Sequence, residues 1–419
     1  MPAFSITGLA GQKSLAGTIP VYGAKNFVLP AMAAALILPG ETVLEQVPEI
    51  SDVAVMSDIL RELGATLQTA DGVLKISAPR LASNIGASAK SLRASVLLIG
   101  PVLARTGTVT IPHPGGDLIG ERPIDLFAQG FERLGAHVSE DGDRYTFSAP
   151  HGLSGGEFFF STVSVTATET LLIAATLAKG TVVLVNAAME PEIVALADML
   201  RAAGARIEGD GTPVITVRPV SLVSPPPTTI IPDRIEAATF LALGALAAES
   251  LTIQNVRPDH LAAVLDVCER MGVPLSIGTD SITVRAPERL APIRVRTHEY
   301  PGFATDAHPP IMVCLTQADG ESVLIESIFD GRLKYTEELV RMGADISLMS
   351  PHRARVVGAR ALQGADIVTP DIRAGLAFML AAITANGTSR IGNAHLIDRG
   401  YARIEERLRA VGVSIEREI

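Results

Sequence analysis

The chain has 419 residues, long enough for two or three hydrophobic cores, with 47% apolar, 4% aromatic and 19% charged residues and a formal net charge of −10. No basic stripe offsets that acidic total, which excludes a nucleic-acid surface. The apolar runs at 27–38, 94–104 and 240–248 are interrupted by Gly or charge and stop well short of the roughly 20 residues a membrane-spanning helix needs, and the first thirty residues lack an export leader, so a cytoplasmic protein is expected.

In chain order, residues 6–26 (ITGLAGQKSLAGTIPVYGAKN) come first and resemble residues 357–375 (VGARALQGADIVTPDIRAG). A helix apolar all round follows at 31–38, then a strand, a loop and the amphipathic Asp58-Ile59-Leu60-Arg61-Glu62-Leu63. Leu63-Gly64-Ala65 reads as a helix C-cap running into the alternating Thr66-Leu67-Gln68. The same order returns five more times, marked by Gly135, Gly204, Gly272, Gly343 and Gly412 at intervals of 68 to 71 residues. Apolar helices recur ahead of those glycines at 94–104, 170–178, 238–248, 311–318 and 375–385. A helix with no polar face must be buried on all sides. The pattern therefore predicts an inside-out α/β barrel of two domains, six βαβαββ repeats with the helices inside and the sheets outside.

The sixth repeat stops short of its last strand, so the N-terminal strand is expected to complete it. Domain I then takes residues 22–230, with repeats one to three, and domain II takes 1–21 and 231–419. The Pro225-Pro226-Pro227 stretch suits the second crossing between them. Cys268 and Cys314 lie in apolar helical settings without metal spacing and read as buried thiols.

Polar residues recur where each buried helix begins: Lys25, Arg93, Ser164, Arg234, Asp306 and Arg373, spaced by 67 to 72 residues. Helix N-termini carry unpaired N–H groups and partial positive charge, which with Lys and Arg make a site for several anionic groups. Facing each other by these ends, the two domains would hold the site in a cleft. The alternative for any one position is an ordinary helix cap. Repeat two has a longer strand-to-helix loop, and its Gly-rich, charged stretch 112–123 reads as a lid. No phosphate-binding Gly-Lys-Ser/Thr loop and no strand–GxGxxG–helix unit occurs. The loops of repeats five and six offer Arg332 and Arg399; His113, His308 and His395 are given no role.

These residues carry a family resemblance. Gly23-Ala24-Lys25-Asn26, Ser91-Leu92-Arg93-Ala94-Ser95, the Pro-Gly-Gly-Asp…Gly-Glu-Arg-Pro-Ile-Asp loop and Glu190-Pro191-Glu192 come first. Pro232-Asp233-Arg234, Tyr300-Pro301-Gly302-Phe303-Ala304-Thr305-Asp306, Asp371-Ile372-Arg373 and Ile397-Asp398-Arg399-Gly400 follow. Over essentially its full length the chain resembles the UDP-N-acetylglucosamine 1-carboxyvinyltransferases. The resemblance implies transfer of the enolpyruvyl group of phosphoenolpyruvate to the 3-hydroxyl of UDP-N-acetylglucosamine, the first committed step of peptidoglycan precursor synthesis, by a monomer needing no metal or organic cofactor.

By the same resemblance Lys25, Arg122 and Arg399 clamp phosphoenolpyruvate, with Arg93 and Arg373 nearby and Arg332 and Asp371 also on the substrates. Asp306 is the base at the sugar hydroxyl, and Asp117 is the acid in the lid. Asn26, Arg122, Pro123, Ile124, Asp125, Leu126, Ser164, Val165, Thr166 and Ile328 contact the UDP-sugar. Many members of the family carry Cys where Asp117 stands, and fosfomycin acts by alkylating that Cys, so insensitivity is expected. A free Asp, with pKa about 3.9, would be ionised at neutral pH; raising it some three units costs about 4 kcal/mol, which like charges of the bound reactants in a closed site could supply. Phe127 stands where His is common and Thr162 where some members have Lys, both expected on the nucleotide side. A sister transferase acting on UMP or shikimate 3-phosphate, or a non-catalytic UDP-sugar-binding relative, remains open from sequence.

Overall fold

Six segments of the chain are so poor in polar side chains that only burial on every side suits them, and in the computed structural model, which describes residues 2–115 and 124–418, each is a helix. The core helices are Lys25–Ala34, Ile99–Thr106 (preceded by a 3-10 turn, Arg93–Leu98), Val165–Ala175, Arg234–Ala247, His308–Thr316 and Ile372–Thr384. Every residue of the sixth is buried. Hydroxyls inside this apolar packing bond back to their own helix: Thr170 to the Thr166 carbonyl at 2.7 Å, Thr239 to Ile235 at 3.1 Å, Thr384 to Leu380 at 2.9 Å.

Each repeat lays a small sheet over its core helix. Among the described residues, five of the six sheets have four strands, and the sheet of repeat two has three, Thr108–Pro112, Arg144–Ser148 and His137–Asp141. Strand burial alternates, as in Glu41–Glu45, so one face packs on the helices and the other meets solvent. All six glycines of the repeated cap have positive φ, from 76° at Gly272 to 104° at Gly412. Only a residue without Cβ adopts that turn at no cost, which explains why the motif recurs.

Contacts divide the described residues into two units: unit I, residues 23–115 and 124–231, and unit II, residues 2–22 with 232–418. In unit I, core helices one to three pack on one another; in unit II, core helices four to six do the same. The strand Ala3–Thr7 runs antiparallel between Thr388–Gly392 and Ser414–Glu418, in the sheet of repeat six. The next strand, Leu15–Pro20, joins the sheet of repeat four, parallel to Ala248–Gln254. Thr228–Thr229, which precedes core helix four, instead pairs with Glu41–Glu45 of repeat one. In unit II, Tyr22 is fixed by a buried ion pair: its N–H donates to Glu236 at 2.8 Å, and Arg407, 2.6 Å from Glu236, stacks on its ring. Both cysteines are free and buried thiols, and burial pushes Cys268 up to about 12. No described helix is long and apolar enough to cross a membrane.

Candidate active site

In unit II the charged residues at the start of core helices five and six meet. Asp306 lies in the 3-10 turn Thr305–Ala307 that leads into core helix five. Its Oδ1 accepts a hydrogen bond from Arg332 at 3.0 Å and its Oδ2 one from Arg373 at 3.0 Å. The Asp306 side chain is 27% exposed, against 3% for Arg332 and 5% for Arg373, so the carboxylate is the open face of a buried cationic pair. Arg373 also donates to the Tyr401 hydroxyl at 3.2 Å, which lies 3.0 Å from Thr239 on core helix four. Burial works to discharge Arg373, but the Asp306 carboxylate outweighs it and holds the guanidinium charged.

The resemblance puts Asp371 on the substrate, and the structure gives it a second task. Its Oδ1 accepts from the N–H groups of Arg373 and Ala374 at 2.8 and 3.0 Å, capping core helix six. Asp233 caps core helix four in the same way, and Arg234 beside it stands 5.5 Å over the Tyr300 ring. Arg399 is half-buried in the turn after Ala394–Ile397. That turn is tethered by its neighbour Asp398, which accepts from Arg417 at 2.8 and 2.9 Å while Arg417 also reaches Glu405. The sequence reading passes over this tether, although an Asp next to a site Arg and an Arg near the end of the chain are both visible in it.

In unit I, Lys25 opens core helix one and forms an ion pair with Asp52 at 2.5 Å, both side chains mostly buried. Asn26 follows, half-buried. Arg93 opens the 3-10 turn before core helix two and is half-buried. Ser164 caps core helix three, accepting from the Ala167 N–H at 3.3 Å, with Val165 and Thr166 half-buried after it. Ile124, expected at the UDP-sugar, buries its side chain in the core of the unit, so only its backbone is available for contact. Asp125 is exposed and Leu126 half-buried at the head of the helix Asp125–Arg133. Phe127, expected on the nucleotide side, is 2% exposed and packs in the same core; an apolar ring suits that place as an imidazole does not. Thr162 is exposed. Asp117, Arg122 and Pro123 lie outside the described residues.

Two clusters of buried titratable groups centre on Glu169 and Glu326, which belong to no motif. In unit I, Glu169 on core helix three is 2% exposed, its Oε1 meets no hydrogen-bond partner among the described residues, and burial with the nearby Glu192 and Glu190 pushes its carboxyl well above the usual range. In unit II, Glu326 and His308 are both fully buried with Nε2 3.2 Å from Oε2, out of line for a hydrogen bond, and His308 Nδ1 lies 3.2 Å from the Tyr335 hydroxyl. Burial works against the Glu326 carboxylate, but His308, the Ile328 N–H and the Thr305 hydroxyl outweigh it and hold the carboxyl at about 2. Burial likewise lowers His308.

Known proteins share this fold. The profile described as EPSP synthase (3-phosphoshikimate 1-carboxyvinyltransferase) matches residues 9–408, and the chain belongs to that family of transferases. Within it, the chain groups with proteins named UDP-N-acetylglucosamine 1-carboxyvinyltransferase. One from Symbiobacterium thermophilum is 43% identical, covering 98% of this chain and 94% of its own. Another from Solibacter usitatus is 40% identical over the whole of both chains. Among solved structures, the enolpyruvyl transferase NikO from Streptomyces tendae superposes with a TM-score of 0.90 at 24% identity, covering 99% of this chain and 98% of that one. EPSP synthase from Acinetobacter baumannii superposes with a TM-score of 0.78 at 18% identity, covering all of both chains. At those identities the superpositions speak for the fold.

Proposed function

We infer that the chain transfers the carboxyvinyl group of phosphoenolpyruvate to the 3-hydroxyl of UDP-N-acetylglucosamine and releases phosphate, supplying a precursor of peptidoglycan. The full-length identity to relatives of that name, together with an open carboxylate on two buried arginines, is what carries the reading. Both reactants are multiply charged and do not cross a bilayer unaided, so we place the reaction in the cytoplasm, with one chain as the catalytic unit.

The chemistry balances on the two reactants alone. The sugar hydroxyl oxygen bonds to C2 of phosphoenolpyruvate as a proton is added at C3, giving a tetrahedral adduct. Loss of a C3 proton and of phosphate then restores the double bond. Asp306 takes the hydroxyl proton, and Asp117 delivers the proton to C3; such positioned groups each contribute about 10²–10⁴ in rate. Lys25, Arg122 and Arg399, with Arg93 and Arg373, hold the carboxylate and phosphate and stabilise the leaving group. Asn26, the 122–126 segment, Ser164, Val165, Thr166, Ile328, Arg332 and Asp371 orient the UDP-sugar, Ile124 through its backbone.

Phosphate release from phosphoenolpyruvate, measured with UDP-N-acetylglucosamine, UMP and shikimate 3-phosphate in turn, tests this. Turnover with the UDP-sugar alone is the expected result. Turnover with another acceptor, or with none, would overturn it.

A further inference from the structure

The Glu326 carboxylate reaches in two directions, and each arm ends on or next to a residue given a role above. Glu326 follows the strand Gly320–Ile325, is fully buried, and is pinned by its own N–H on the His352 carbonyl at 2.8 Å. Its Oε2 accepts from the Thr305 hydroxyl at 2.8 Å, and Thr305 is the residue before Asp306. Its Oε1 accepts from the backbone N–H groups of Ile328 and Phe329 at 2.7 and 3.0 Å, at the start of the loop that leads to Arg332. A buried carboxylate that accepts three hydrogen bonds is a strong, directional anchor, and charge-assisted bonds of this kind are about twice as strong as neutral ones.

We propose that Glu326 is a positioning residue with two separable arms: through Thr305 it sets the aim of the Asp306 carboxylate, and through Ile328 and Phe329 it shapes the backbone that holds the acceptor. The inference rests on the reading of Asp306 as base and Ile328 as acceptor contact. It goes beyond that reading in assigning the common anchor of both. Glu326 itself touches neither reactant. His308 packs against Oε2 from the first turn of core helix five and leaves the two arms to the carboxylate.

The two arms predict different kinetic losses. Displacement by an ångström at a reacting group costs about a hundredfold in rate, whereas displaced contacts to unreacting atoms raise KM. T305V cuts only the arm to Asp306 and is expected to lower kcat at least about tenfold with acceptor KM within about twofold of the parent. T305S keeps the hydroxyl and is expected to stay within about threefold in both. E326Q weakens both arms, since an amide oxygen accepts without charge and its NH2 cannot accept at all. It is expected to lower kcat and raise acceptor KM at least about tenfold.

The measurement is phosphate release with saturating phosphoenolpyruvate and varied UDP-N-acetylglucosamine, with thermal midpoints taken on each protein. Folded T305V and E326Q that keep kcat and KM would overturn the proposal. So would losses in T305V, T305S and E326Q alike that follow only the fraction folded. If E326Q does not fold, the contrast of T305V with T305S decides. D306N separates the two levels of argument: an active D306N sinks the reading of Asp306, whereas an inactive D306N beside a normal T305V sinks the positioning role alone.

Discussion

Asp306 holds both carboxylate oxygens on guanidinium groups, at 3.0 Å each, and a carboxylate so held has further lone pairs with which to take a proton. Arg332 and Arg373 therefore keep the carboxylate charged at rest, and arrival of an anionic reactant gives those arginines a competing partner. Asp306 and Arg373 were legible in the sequence through their place in the repeat. The Glu326–Thr305 anchor was not: Glu326 stands in no motif, and its partners become neighbours only through the packing of a strand end on a helix start. Asp371, which the resemblance puts on the substrate, also caps core helix six, because Asp at the head of a helix suits either role.

His308, fully buried against Glu326, Tyr335 and the nearby Arg332 and Asp306, is held below its ordinary pKa by burial. The unfolded chain takes up that proton near pH 6.5 and the folded chain does not, so this contribution to stability is full above about 6.5 and is lost as the pH falls below it. H308Q should flatten the acid side of the stability curve, by up to about 1.4 kcal/mol per pH unit, in urea titrations between about pH 5 and 8. Glu169 has the opposite sign: its raised carboxyl contributes stability below about pH 4.5, lost as the pH rises through the folded value. E169Q should therefore gain stability over the parent at neutral pH, and the same titrations read it. Asp117 stands where many members of the family carry Cys, so no fosfomycin adduct is expected by intact mass, whereas D117C should acquire one.

At the scale of the element, the repeated glycine cap was the most legible feature, because a positive φ admits few other residues. At Gly272, φ is +76° and an added Cβ would meet nothing within 4 Å. The cost of G272A is then conformational alone, about 1 kcal/mol. Gly244 differs. It lies inside core helix four with ordinary φ, and a Cβ there would stand 2.1 Å from Val284 Cγ1 in the sheet above. G244A should cost about 1–3 kcal/mol by overpacking, and V284A should offset part of that loss. Denaturant midpoints of the four proteins in a double-mutant cycle check both statements; no coupling between 244 and 284 would contradict the packing. The buried helices were legible from their lack of a polar face. Their exact ends were not: repeat two opens as a 3-10 turn, and repeat five places Asp306 in one.

For the whole molecule, six short helix-and-sheet units with one plan account for the fold, and every repeat begins its core helix at or next to a polar residue. The repeat is visible because it is periodic; the identity of the acceptor is not periodic and rests on the full-length similarity to relatives named for it. Phe127, one of the departures from the family pattern, is buried in the core of unit I.

The central claim is that the vinyl carbon of phosphoenolpyruvate passes through a methyl group while the sugar oxygen is bonded at C2. Running the reaction in D₂O with UDP-N-acetylglucosamine and reading the product by proton NMR tests it directly. The account predicts deuterium in the vinyl group of a carboxyvinyl ether at the sugar 3-oxygen, formed together with phosphate. A product with no deuterium at that carbon, or phosphate released without an ether, would contradict it.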